Sequence, residues 1–329
     1  VKAALNKLVC LLISLGFSIL IWQAGEVKLA VFWAKASVLI SGNGFQEVTY
    51  VSSDSLLRSY IPGVGKVPDP LLLAEESYRM YKTRIEPERL DAFLKLSEKL
   101  ENSIDTSGRI PQTYDYKAAR LVQPWYNSAT QAASAVALAA RAGYLRNPDT
   151  FQKAKIVFSY LIPDSGTLSS RLPDGSVWFW EFGQENYSMK GMIQTLLSLH
   201  EYHRIVGDPL AAELFSSGVK ALQKKLPELQ TKGWLDDQYH KKNQRSEHWE
   251  LTNLLYELNA ITPDSLFTPA LAGFQHRYNQ SILLQLTQRP SFGRLFTFAL
   301  TWLLLYLIAF AFLRPHKPRS NQDDSPALQ

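Results

Sequence analysis

Residues 189–225 read MKGMIQTLLSLHEYHRIVGDPLAAELFSSGVKALQKK, and the reading of this stretch decides the fold class. One helical run from Met189 to Val206 ends at Gly207–Asp208, and a second runs from Pro209 to Lys225. Glycine just past a helix end and proline at the first position of the next mark two helices joined by a short turn. The same layout repeats on both sides. Asp69 is a capping residue before Pro70, and Leu71, Leu72, Ala74, Tyr78 and Met80–Tyr81 then recur at helical spacing. Pro87–Ile104 carries Leu90, Phe93, Leu94, Leu96 and Leu100 on one face. Ser128–Tyr144 is rich in alanine, which suits close helix packing, and Asp149–Leu161, Ser246–Ile261 and Pro263–Gln280 complete the set. Amphipathic helices in pairs, separated by a few residues, predict a mainly α fold of helix hairpins arranged around an axis.

Two β segments are expected beside the helices. QEVTYVSS, within a small strand and loop segment at residues 42–68, has the β-branched, alternating character of a strand. Thr167–Leu172 and Ser176–Phe182 flank Pro173–Asp174–Gly175, where proline fixes one corner and glycine supplies a positive φ. Alternation along VWFWEF puts Trp178, Trp180 and Phe182 on one face and Val177, Phe179 and Glu181 on the other, so at most one set is open to a ligand.

The chain ends read as membrane segments. Leu295–Leu313 contains no charged residue, and at about 1.5 Å per residue it matches a hydrocarbon core of about 30 Å. The apolar run Leu8–Ala24, preceded by Lys2 and Lys7, also fits a secretory signal peptide. No small-x-small cleavage site follows it, so residues 1–41 are expected to form an uncleaved signal anchor with a juxtamembrane piece. Lys2, Lys7, Arg314, Lys317 and Arg319 flank the two runs on their outer sides, which predicts both termini in the cytoplasm and the main domain outside it. Residues 314–329 read as a disordered basic and polar tail.

Composition excludes several function classes. The charge of +5 is mild, its cations gather partly at the apolar ends, and no basic stripe carries interleaved aromatics, so nucleic acid is not an expected partner. Cys10 is the one cysteine and lies in the first apolar run, which rules out disulfide, thiol and Cys-ligated metal chemistry in the domain. No glycine-rich loop follows a strand and no HExxH is present; neither cofactor nor metal is expected.

A series of landmarks carries a more specific resemblance. Tyr114–Asp115–Tyr116 follows the first helices, then PWYNSATQA at Pro124–Ala132, WFWEF at Trp178–Phe182, MKG at Met189–Gly191, and Glu247–His248 opening a late helix. In this order they resemble the C-terminal catalytic domain of D-glucuronyl C5-epimerases. The resemblance implies an incomplete (α/α) toroid over residues 69–290, with a sugar polymer lying across one end of the ring. It also implies action on a uronic-acid polysaccharide in extracellular or capsular polymer biosynthesis, beside a polysaccharide synthase or export machinery. The chain departs from the family pattern at three tyrosines linked to catalysis, whose places are taken by Phe182, Asp236 and Glu247.

C5 epimerisation removes a proton α to a carboxylate, so the carboxylate must be neutralised and an acid and a base must face each other across the ring. Lys190, Arg245 or Arg171 are candidates for the carboxylate, and Glu181, Tyr187, Glu247 and His248 for the protons. Trp125, Asn127, Trp180, Tyr116 and Asp236, with Trp178, complete the expected sugar-binding set. Each has a plainer reading: Glu247 as a helix-dipole carboxylate, His248 as a helix-start hydrogen-bonding residue, Tyr114 and Tyr116 as ring packing. Two other functions stay open. A carboxylate pair including Glu181 suits a glycoside hydrolase, and lost phenols suit a non-catalytic glycan-binding subunit.

Overall fold

The computed structural model describes residues 7–21, 49–50, 57–61, 65–116, 120–163, 167–181, 187–228, 230–231, 234–235, 245–263, 266–279 and 292–313. The chain divides into two compact units, one of residues 34–279 and one of residues 1–33 with 280–329.

The larger unit is built from helix hairpins. Helices α2 (Pro70–Lys82), α4 (Ser128–Leu145), α6 (Met189–Val206) and α8 (Arg245–Ile261) pack side by side in chain order. Each also packs against the helix that follows it: α3 (Pro87–Asn102), α5 (Pro148–Ser159), α7 (Pro209–Lys225) and α9 (Phe267–Asn279). An inner arc of four helices backed by four returning helices is the expected (α/α) arrangement.

Local chemistry sets the helix starts. The carboxylate of Asp69 accepts from the Leu72 amide at 3.1 Å, Asn127 from Thr130 at 2.7 Å, and Asp208 from Leu210 at 2.9 Å, each satisfying an otherwise orphaned N–H. Gly207 closes α6 with φ +73°, a conformation that disfavours any side chain. Helix α4 is the centre of the unit: its run of alanines from Ala132 to Ala140 is buried, and these short side chains let α2, α5 and α6 approach together. The largest differences from expectation are at three ends: α3 stops at Asn102, α5 stops at Ser159 rather than Leu161, and α9 begins at Phe267 rather than Pro263.

Three small antiparallel sheets accompany the helices. Strands β1 (Thr49–Tyr50), β2 (Leu57–Ile61) and β3 (Gly65–Pro68) form the first. β4 (Ser169–Arg171) pairs with β5 (Val177–Phe179) around a turn where Gly175 has φ +80°, as its sequence predicts. β6 (Gln230–Thr231) pairs with β7 (Trp234–Leu235). The expected open face of β5 is not there. Val177, Trp178, Phe179 and Trp180 are all buried, because α6 and α7 cover Phe179 while Tyr187 closes over both tryptophans. Gly218 of α7 makes this possible: a Cβ there would stand 2.5 Å from Leu196 Cδ2 and 3.0 Å from Phe179 Cε2.

In the smaller unit, residues 7–21 form helix α1 and a second helix, α10, spans Phe292–Leu313. Over the residues whose side chains are described, no helix is long and apolar enough to cross a membrane, so the two expected spans lack structural support. The expected juxtamembrane piece beyond residue 21, the tail at 314–329, and most of QEVTYVSS lie outside the described residues.

Candidate functional site

The inner helices α2, α6 and α8 run parallel, and their first halves meet at one end of the arc. Gln194 Nε2 of α6 donates to Glu75 Oε1 of α2 at 3.1 Å. Lys190 of α6 pairs with Glu250 of α8 at 2.7 Å. Helix α4 joins at its first residue, Ser128, whose hydroxyl receives a bond from Thr195 at 3.0 Å. The first halves of α2, α6 and α8 are thus linked to one another, and the partial positive charge of their starts favours anionic groups.

The residues gathered there are strongly coupled. Glu75 keeps solvent access although many protein atoms surround its carboxyl, so it does not belong to the core. Burial, against the pull of Lys190 and with the push of Asp69 and Glu250, raises that carboxyl to about 7. Burial lowers the Lys190 ammonium, but the Glu250 carboxylate outweighs it, helped by Glu181 and Glu75, and holds it above the ordinary lysine value. The Tyr114 phenol is pushed up, first by burial, then by Asp69, Tyr116 and Glu181. Lys190, three glutamates, Asp69 and Tyr114 thus share one electrostatic neighbourhood.

Glu181 leaves β5 and turns onto the start of α6, where it accepts from the Gly191 amide at 3.2 Å and from the Ser188 hydroxyl. The glycine of MKG is the condition for this approach, since a Cβ on Gly191 would lie 2.7 Å from Glu181 Cβ and 2.8 Å from its Oε2. Gly191→Ala is expected to displace Glu181 and destabilise the protein by about 1–3 kcal/mol, measured as a lower urea midpoint. An unchanged midpoint would mean that the contact relaxes without cost.

The other sequence-derived candidates are placed as follows. Trp125 is buried, donates its indole N–H to the Tyr114 carbonyl at 2.8 Å, and stacks on Tyr116. Asn127 is buried as the α4 cap. Tyr187 packs on Trp178 and Trp180 and lies under the Lys225 ammonium, 4.7 Å from its ring centre. Trp178 and Trp180 are buried with indole N–H groups that meet no acceptor. Arg171 lies on β4, exposed. Arg245, Glu247 and His248 belong to the first turn of α8, but their side chains, like Phe182 and Asp236, lie outside the described residues.

Reading the sequence alone missed Glu75, Gln194 and Glu250 and took Asp69 only as a cap. One signal was available for Glu75: it stands four residues after Leu71 and three before Tyr78, a carboxylate in an apolar helical stripe. A separate depression of about 430 Å³, lined by Tyr78, Tyr81, Lys82, Arg84, Arg204 and Ile205, lies at the opposite ends of α2 and α6. There Lys82 and Arg204 are already paired with Glu201, and no titratable carboxylate is left over for chemistry. Among the described residues no group of three or more His, Cys, Asp and Glu is arranged to hold a metal ion.

An inner arc of helices backed by an outer one, with a charged cluster where the inner helices begin, places the chain among (α/α)-toroid proteins. Within that class it belongs to the D-glucuronyl C5-epimerase C-terminus family, whose profile matches residues 104–268, half of the chain. No protein of curated function matches it. Among solved structures it is similar to a cellobiose 2-epimerase from Bacillus thermoamylovorans, at 12% identity and TM-score 0.45 over 64% of this chain and 60% of that one. It is also similar to a D-mannose isomerase, at 11% identity and TM-score 0.48 over 78% of this chain and 70% of that one. The chain thus spans under two thirds of the length of the first of these.

Proposed function

We propose that the protein is an epimerase-like enzyme acting on a uronic-acid polysaccharide, abstracting and returning the proton at C5. The observation that carries this reading is Lys190, a cation held between Glu250, Glu181 and Glu75 where the first halves of the inner helices meet. A uronate carboxylate entering there takes the Lys190 ammonium from Glu250, which at 47% side-chain exposure is readily released to water. Neutralising that carboxylate is what makes the C5 proton acidic enough to remove, and the helix N-termini add to it. Glu181 borders the same place, and the first turn of α8 carries Arg245, Glu247 and His248. Family membership supports the reaction class.

The protein is proposed to act at a membrane, with the main domain outside the cytoplasm and a polymer synthase or export machinery beside it. Burial in the smaller unit supports a lipid environment, because it is inverted. Cys10, Ser14, Ser18 and Thr301 are buried, while Leu12, Phe17, Leu20, Leu303 and Leu307 face outward. Small residues inside and large apolar ones outside is the pattern of helices packed in lipid.

A second reading, glycan binding without turnover, draws on Phe182, Asp236 and Glu247 standing where the family has tyrosines. The test is incubation of the full chain in detergent with uronic-acid polymers in D2O, followed by NMR. Deuterium at C5 with chain length preserved is the expected result. Saturable binding without exchange would replace the enzyme by the binding subunit, and new reducing ends would replace it by a hydrolase.

A further inference from the structure

We propose that Glu75 of α2 is a proton-transfer group of the site, positioned by Gln194. This rests on the C5-epimerase reading given above.

Glu75 lies in α2, ahead of residues 104–268 that the family profile matches. The chain lacks the family's three phenols at Phe182, Asp236 and Glu247, and a proton acceptor must come from elsewhere if the chemistry is kept. The geometry supplies one. The Glu75 carboxyl accepts from Gln194 of α6 and feels the charges of Lys190 on α6, Glu250 on α8 and Asp69 at the head of its own helix. It keeps solvent access, as a group that must exchange its proton with water requires. Its elevated affinity for protons, near neutrality, suits both acceptance and release.

Gln194 is the second, independent sign. Its side chain is buried at 8% exposure, its amide N–H donates to Glu75, and its amide oxygen meets no donor. A plain structural contact has no need to bury that oxygen unmet. A primary amide beside a cycling carboxyl has a use for both ends: N–H donates to the carboxylate, and after a half-turn C=O accepts from the carboxylic acid. Gln194 thus matches both protonation states of Glu75 without moving its backbone.

In the step itself, the C5–H bond breaks and its proton passes to a Glu75 oxygen. The electron pair moves into the uronate carboxylate, giving an enediolate held by Lys190. The new C5–H bond needs a proton from an acid on the opposite face, and the Tyr114 phenol, kept protonated by burial and then by Asp69, is proposed for it. Glu75 returns its proton to water and Tyr114 regains one, so no oxidant or reductant is needed.

The experiment compares the full chain with Glu75→Gln and Gln194→Met, reading C5 inversion of uronic-acid polymers, polymer binding by calorimetry, and the pH profile. Glu75→Gln is expected to keep its binding affinity and to lose inversion a hundred-fold or more in both directions. In the parent protein inversion rises with pH through about 7 as Glu75 ionises. Gln194 holds the Glu75 carboxyl down by its donated N–H, so Gln194→Met is expected to move that limb to higher pH. Glu75→Gln inverting within a few-fold of the parent overturns the proposal while leaving the C5-epimerase reading intact. A parent protein that inverts no uronate overturns that reading, and this proposal with it. A limb that stays in place in Gln194→Met removes Gln194 from the positioning role.

Discussion

Lys190→Met is expected to lower the rate of C5 exchange on a uronate polymer by roughly a hundred- to a thousand-fold, the range for removing one group that stabilises developing negative charge. The cation is the only one that the described geometry brings among Glu75, Glu181 and Glu250. Without it, the carboxylate of the substrate meets carboxylates alone. Binding should fall along with turnover, because the ammonium acts on the ground-state carboxylate as well as on the enediolate. The fold should survive, since Lys190 keeps 30% of its side-chain surface in water and Glu250 is released to solvent. The check is exchange kinetics beside a thermal melt. An intact melt with unchanged exchange would remove Lys190 from the site.

Trp178→Ala is expected to cost about 3–5 kcal/mol of stability, the range for deleting a fully buried large aromatic side chain. Trp178 is wholly inaccessible and packs against Trp180 and Tyr187, with ring centres 6.5 and 5.0 Å away. Its indole N–H meets no acceptor, so Trp178→Phe gives up no hydrogen bond and should cost clearly less than the alanine variant. Urea denaturation of the two variants checks this. Equal losses would mean that the indole nitrogen, and not the packing volume, is what the core needs.

These two residues also show what the sequence makes legible. Helix starts and stops are local: Asp69 before Pro70, Asn127 before Ser128 and Gly207–Asp208 before Pro209 announce themselves within a few positions, and the structure uses each as read. The turn at Gly175 is local in the same sense. Lys190 was read as a carboxylate partner from its neighbourhood in MKG. Its actual environment depends on Glu250, sixty residues on, and on Glu75, 119 residues before Gln194. No window of sequence joins those positions; only the parallel packing of α2, α6 and α8 does. The aromatic strand failed for a related reason. Alternation predicts two faces but not how many layers cover them, and Gly218 and Tyr187, both distant from β5 in sequence or in pattern, close the second face.

Asp69 and Glu181 join the two halves of the charged region: Asp69 acts on both Glu75 and Tyr114, and Glu181 on both Lys190 and Tyr114. Tyr114 and Tyr116 pack on the buried Trp125 beside these charges.

The most direct measurement is a crystal structure of the full chain with a short uronic-acid oligosaccharide bound. The account predicts a sugar carboxylate within about 3 Å of Lys190 Nζ, with Glu250 displaced and the ring carbon C5 facing Glu75. An oligosaccharide bound away from the first turns of α2 and α6, with the Lys190–Glu250 pair intact, would contradict it.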